Sequence, residues 1–304
     1  MTAPLLTRLA TYQSERFPLL RTATLVLVFS ASSVSVSAHL AGRAAPAWPA
    51  YLGAFAATLI LFWHLRVLDE IKDAEDDRLY RPERPIPRGL VSLALVVRLG
   101  LVTVPLALIA AAAVDPRLAL LLAAIWGWMA LMTAEFFMPA WLKRRPFAYL
   151  VSHMMVMPLI DLFVTGFEWL PRGGAPGGLA LFLGLSFANG CVLEIGRKLW
   201  APEHERPGVD SYSALLGPRR GALVWIACLS VAFALLVAVG FATRAPLLTG
   251  GVGLVGLTGA AWTGLAFARA PTPAAQKRVD AAAGVWVLIC YVAAAAAPFA
   301  SAPA

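Results

Sequence analysis

Charged side chains are scarce in this chain, 14% of its 304 residues against 60% hydrophobic. The resulting mean hydropathy of +0.75 excludes an ordinary soluble domain of this length. Cysteine is scarcer still. The three present, Cys191, Cys228 and Cys290, stand singly in apolar stretches with no Cys-x-x-Cys pair, so a disulfide framework is excluded and buried structural thiols are expected. No long Pro- or Gly-rich linker divides the sequence, and the run 172–178 reads as a turn, so one multi-pass domain over residues 1–304 is expected. The opening residues mix Arg8, Glu15 and Arg16 with apolar side chains, a pattern unlike a cleavable leader, so the first span is expected to be retained.

What is abundant is apolar sequence in runs of bilayer length. Nine runs are long enough to cross a hydrocarbon core as helix, at about 19–42, 49–69, 90–114, 117–137, 147–167, 177–200, 220–241, 246–268 and 280–299. They are continuous and rich in Ala and Leu, whereas a membrane β-barrel needs alternating strands. The expected fold is an all-α membrane bundle of nine transmembrane helices. Lys and Arg orient it: 20 of the 25 fall in the amino-terminal tail and in the loops after the second, fourth, sixth and eighth spans, which puts the amino terminus in the cytoplasm. The net charge of +8 then reflects topology and contact with anionic lipid of the cell inner membrane, with no nucleic-acid partner. A charged loop follows the second span and recurs after the sixth, a faint repeat that suggests two half-bundles around a central cavity.

The first of those loops carries the chemistry. Residues 66–92 hold seven acids and six bases beside an apolar span, a costly arrangement that is functional by default. On one continuous helix Asp69, Asp73 and Asp76 fall within about 60° of one another, with Asp77 one step further round. Oxygen-only ligands of this kind suit Mg²⁺, which takes one or two carboxylates and completes its shell with water and substrate phosphates. The flanking Arg81, Arg84 and Arg88 complete a metal and diphosphate cradle. The competing reading is that the acids solvate a helix end and pair with Arg66, Lys72, Arg78 and Arg81, and Glu75, on the opposite side, fits that reading.

The pattern Asp69-Glu70-x-x-Asp73-x-x-x-Asp77, followed by Arg81-Pro82-Glu83-Arg84-Pro85-Ile86-Pro87-Arg88-Gly89, resembles the first signature of the UbiA superfamily of intramembrane prenyltransferases. Asp69 replaces the family's Asn, and Glu70 its first Asp. Residues 138–144, ending in Lys143 and Arg144, resemble the family's Tyr-x-x-x-Lys-Arg stretch with Phe137 in the aromatic place; a positive-inside anchor explains the same cations. Residues 208–217 fit the family's Gly-x-x-Thr segment, with Ser211 at the Thr and Tyr212 next to it. The second acidic motif is altered: Glu194 stands for its first Asp and Arg197 for its second, followed by Lys198, Glu203 and Glu205.

The resemblance implies an enzyme that ionises a polyprenyl diphosphate with Mg²⁺ and passes the prenyl group to a lipophilic or aromatic acceptor. Metal ligands are then expected among Asp69, Glu70, Asp73, Asp76, Asp77, Glu203 and Glu205. Substrate contacts are expected at Arg84, Arg88, Lys143, Arg144, Tyr212, Glu194 and His64, the last placed five residues before Asp69 where it can line the same cavity. Arg197 and Lys198 are expected to grip phosphate oxygens where the family uses a carboxylate-bound metal. Two further readings stand beside this one: a terpene synthase that uses the same diphosphate site, and a transporter whose acids bind cations.

Overall fold

The computed structural model describes residues 4–206 and 208–297, and all regular structure among them is helical. In chain order the helices are α1 (Leu5–Arg16), α2 (Leu19–Leu40), α3 (Trp48–Lys72), α4 (Ala74–Tyr80), α5 (Leu93–Ala112), α6 (Leu118–Thr133) and α7 (Pro139–Lys143). They continue as α8 (Pro146–Met154), α9 (Val156–Trp169), α10 (Leu179–Arg197), α11 (Tyr212–Leu216), α12 (Pro218–Ala242), α13 (Pro246–Arg269) and α14 (Pro273–Ala295). Helix is what a bilayer demands, because each backbone N–H must find its carbonyl inside its own segment.

Eight helical segments among the described residues are long and apolar enough to span: α2, α3, α5, α8 with α9, α10, α12, α13 and α14. The ninth run, expected at 117–137, folds as α6 with only 16 residues, about 24 Å of rise. It stops there because Glu135, Phe136 and Phe137 take left-handed φ values of 46°, 53° and 58° and reverse the chain. The fifth span is interrupted at Met155. Pro158 accounts for that interruption, since it offers no N–H to Met154 and its ring crowds the same carbonyl.

A second break corrects the sequence expectation directly. The acidic segment does not run on as one helix, because α3 ends at Lys72 and Asp73, with ψ near 2°, joins it to α4. Asp69 and Asp73 therefore close the last turn of α3, while Asp76 and Asp77 belong to a new helix. The shared face of four carboxylates is divided in two.

Lipid tails are as apolar as Leu, so burial alone does not join these helices; close packing and polar contacts do. Two apolar clusters result. One joins α3, α5, α6 and α9 around Leu61, Leu122, Ile125 and Phe163, and the other joins α10, α12 and α14 around Phe182, Trp225, Leu229 and Trp286. Where they meet, the fully buried Asp161 accepts hydrogen bonds from Ser33 on α2 (2.6 Å) and Tyr291 on α14 (2.5 Å). Gly240 lets α12 and α13 close on each other, since a Cβ there would meet Thr249 Oγ1 at 1.8 Å.

Candidate active site

The end of the bundle where α3 and α10 stop and α8 begins gathers the charges. Glu70, 4% exposed, accepts from Arg16 Nε at 2.7 Å and from the Tyr12 hydroxyl at 3.3 Å, both on α1. Asp77, 2% exposed, accepts from Arg84 at 2.6 and 2.7 Å and from Arg81 at 3.1 Å, with Arg16 4.0 Å away. Two of the expected metal ligands are thus surrounded by guanidinium groups. Asp69 differs: its side chain is 55% exposed and its ion pair, with Arg66, is a long 3.5 Å. Asp73 is half-buried, and desolvation, then the nearby charge of Asp77, pushes its carboxyl above the usual range. Asp76 is exposed, and Glu75 pairs with Arg78 at 2.6 Å on the solvent side, as the sequence suggests.

Across the bundle end, Glu194 is 6% exposed and holds two cations, Arg197 at 2.5 Å and Lys198 at 2.9 Å. Arg197 lies within electrostatic reach of Asp69, which brings the two acidic motifs to one place. Tyr149 of α8 sits between them. The Lys72 ammonium donates to its hydroxyl at 2.6 Å and lies 4.7 Å from its ring centroid, and Lys198 lies 6.0 Å from the same ring. Tyr149 also stands in the electrostatic field of Glu135, Glu194, Asp73 and Asp69. Lys72 continues to His153 Nε2 at 2.9 Å and to Glu135 at 3.5 Å. A cavity of about 30 Å³, lined by Asp69, Lys72, Thr133 and His153 among others, opens beside this cluster.

The two motif loops also touch. Gly208, with φ of +77°, lies so close to Tyr80 at the end of α4 that a Cβ would come within 2.4 Å of the ring, and Arg206 pairs with Glu83 at 3.1 Å. Ser211 caps α11 by accepting from Ala214 N at 2.9 Å and donates to Glu205 at 2.7 and 2.8 Å. Glu203 is exposed.

A family model described as the UbiA prenyltransferase family matches residues 27–288. The chain belongs to that family. Among solved structures it is similar to one described under digeranylgeranylglyceryl phosphate synthase in membranes, with a TM-score of 0.63 and 14% identity over 95% of this chain and 98% of that one. It is also similar to the apo structure of a UbiA homolog from Aeropyrum pernix K1, with a TM-score of 0.66 and 18% identity over 90% of this chain and 96% of the other. No curated protein matches the sequence. The family assignment makes this an intramembrane prenyltransferase in general terms.

The family resemblance implies a diphosphate and a divalent cation, so the fit of the acids matters. Among the described residues no group of three or more His, Cys, Asp or Glu side chains converges as a metal cage. The pair Asp69 and Asp73 nevertheless fits Mg²⁺, which binds through one or two carboxylates plus substrate phosphates. A cation there would favour the ionised Asp73 carboxyl, which desolvation and the charge of Asp77 disfavour. The second motif does not fit a metal, because its one buried acid, Glu194, is already neutralised by Arg197 and Lys198.

The remaining sequence candidates fall as follows. His64 does not line this cavity: Nδ1 accepts from Trp126 at 3.1 Å, and Nε2 donates toward Thr103 (2.9 Å) and Gly100 O (3.2 Å), which saturates the ring between α3, α5 and α6. Arg88 pairs with Glu15 at 2.7 Å, Lys143 and Arg144 are exposed, and Tyr212 is buried against Phe147 at a ring distance of 6.4 Å. Sequence reasoning passed over Lys72, Arg16 and Tyr12 as site members. A signal existed for the last two: Arg8, Tyr12 and Arg16 recur every four residues and so share one face of α1.

Proposed function

We propose that this protein ionises an allylic polyprenyl diphosphate, with Mg²⁺ as cofactor, and transfers the prenyl group to a lipophilic or aromatic acceptor. The observation that carries this reading is that Asp69 lies within electrostatic reach of Arg197, with Tyr149 in the field of both Asp69 and Asp73 and its ring 6.0 Å from Lys198. Asp69 and Asp73 would hold the cation, which supplies Lewis-acid stabilisation of the departing diphosphate. Arg197 and Lys198 grip phosphate oxygens, Arg as a planar fork and Lys as a point charge. Glu194 holds both heads in place, so little reorganisation is needed as negative charge develops. The Tyr149 ring, already flanked by two ammonium groups, offers an aromatic face to positive charge. The apolar bundle below keeps water from the reactive chain. The Lys and Arg distribution supports an amino terminus in the cytoplasm and residence in the cell inner membrane.

The altered second motif also suits a synthase in which the cation cyclises or loses a proton without an acceptor. One experiment separates the two. Purified protein with Mg²⁺ is given allylic diphosphates of several chain lengths, with and without phenolic and lipid acceptors, and pyrophosphate and lipid products are measured. Acceptor-dependent product supports transfer, acceptor-free hydrocarbon supports cyclisation, and absence of pyrophosphate from every diphosphate defeats both.

A further inference from the structure

The first motif contains acids of two kinds, and α1 lies against one of them. Along α1 the residues Arg8, Tyr12, Glu15 and Arg16 occupy positions i, i+4, i+7 and i+8 and so share one face. Each meets the acidic segment. Arg8 Nε donates to Leu90 O at 2.5 Å, Tyr12 Oη to Glu70 at 3.3 Å and Arg16 Nε to Glu70 at 2.7 Å, while Glu15 accepts from Arg88 at 2.7 and 3.1 Å. These contacts run from the start of the segment to its end. Beside them α1 also packs through apolar side chains, with Phe17 edge-on to Trp63 at 5.5 Å and Leu9 and Tyr12 against Val67, Val91 and Val96, next to an open apolar groove of about 320 Å³. Polar and apolar contacts together seat the helix on the segment.

We propose that α1 is a clamp on the first motif, in which Arg16 is a positioning residue and Glu70 is its anchor, not a metal ligand. The Glu70 carboxylate is spent on α1: it is buried, and its Oε1 already takes both Arg16 and Tyr12. Desolvation opposes the charge on Arg16, yet the hydrogen bond and charge of Glu70 raise its pKa, as a stable ion pair requires. With Glu70 held, the last turn of α3 is fixed in rotation, and Asp69 keeps the side of the helix that meets Arg197 while Asp73 follows it at the end of the same turn. The proposal rests on the reading of Asp69 and Asp73 as the cation-binding pair.

The test measures Mn²⁺ binding to purified full-length protein by electron paramagnetic resonance, in the presence of inorganic pyrophosphate. If Arg16 positions the motif, Arg16→Ala lowers Mn²⁺ affinity by about tenfold, the range for a residue that orients ligands without touching metal. The number of Mn²⁺ bound is unchanged. Arg16→Lys recovers part of the loss, and the charge swap Arg16→Glu with Glu70→Arg recovers more than either single change. If Glu70 is a ligand instead, Arg16→Ala frees its carboxylate and Mn²⁺ binds more tightly; a raised or unchanged affinity overturns the clamp. Should Arg16→Ala not fold, Arg16→Lys and the swap carry the same signs. Wild-type protein that binds no Mn²⁺, or binds it equally in Asp73→Asn, overturns the metal reading, whereas Mn²⁺ binding that ignores Arg16 overturns the clamp alone.

Discussion

In residues 66–92 the buried acids Glu70 and Asp77 are neutralised by arginines from α1 and from the loop after α4, whereas the exposed Asp69 holds Arg66 only at a long 3.5 Å and Asp73 makes no ion pair among the described residues. In residues 194–198 the arrangement is inverted: the one deeply buried acid, Glu194, serves two cations and the surplus is positive. The two segments occupy related places in a family whose motifs are acidic on both sides. On the proposed function, their difference means that a diphosphate is met by a carboxylate-held cation on one side and by protein cations on the other. A local net charge of the right sign is what matters, and either device supplies it.

The comparison breaks most sharply at Asp73. Replacing it with Ala removes half of the carboxylate pair, and pyrophosphate release is expected to fall at least about 100-fold in kcat, the usual loss for an electrostatic stabiliser. Arg197→Ala and Lys198→Ala probe the other side. Each is expected to raise the KM for the diphosphate by about tenfold, read against a Mg²⁺ titration; unchanged diphosphate affinity in both variants would sink the direct-grip reading. Glu194→Gln sharpens the inversion, because it frees both cations while leaving a buried site without its ion. Pyrophosphate should bind more tightly to this variant even as thermal stability in detergent drops, by about 1–3 kcal/mol.

Asp73 gives a subtler effect on stability. Its carboxyl is raised in the folded protein, so the unfolded chain releases this proton at lower pH than the folded one. The penalty for charging it appears as pH rises from the ordinary carboxylate value through the raised one, and is fully present at neutral pH. Asp73→Asn should therefore melt higher than wild type at pH 7 in the absence of metal. The gain should vanish as the pH falls toward about 4. The smallest effect is expected at Lys143 and Arg144, which are exposed and away from the paired acids. Their Ala variants should change KM by less than about twofold; a tenfold change would show that the diphosphate reaches further along the bundle end than the acids indicate.

Much of this molecule was legible in residue order. Span positions follow hydropathy, and those expected at 49–69 and 220–241 became α3 and α12 with only small shifts at their ends. The acidic motif was legible as well, as was the role of Glu75, whose neighbour Arg78 is one turn away. His64 was misplaced because sequence spacing says how far a residue lies along a helix but not what faces it; Trp126 and Thr103 come from other helices. Eight helical segments among the described residues reach spanning length, and 117–137 is not one straight run, because three left-handed residues follow α6. Phe and Glu give no warning of that, since neither favours positive φ.

Residues 66–92 returned the most from sequence, and from structure too. The sequence alone determined that this is a membrane helical bundle with acids and bases crowded at one end, because hydropathy and spacing are local properties. Only the tertiary structure decided which of those acids are spent. Glu70 meets an arginine 54 residues earlier in the chain, and Asp69 lies in the field of Arg197 from a helix far later. A buried carboxylate gripped by guanidinium groups is committed to them, whereas an exposed or unpaired one is open to a cation. That distinction belongs to distances in space, which packing sets and residue order does not.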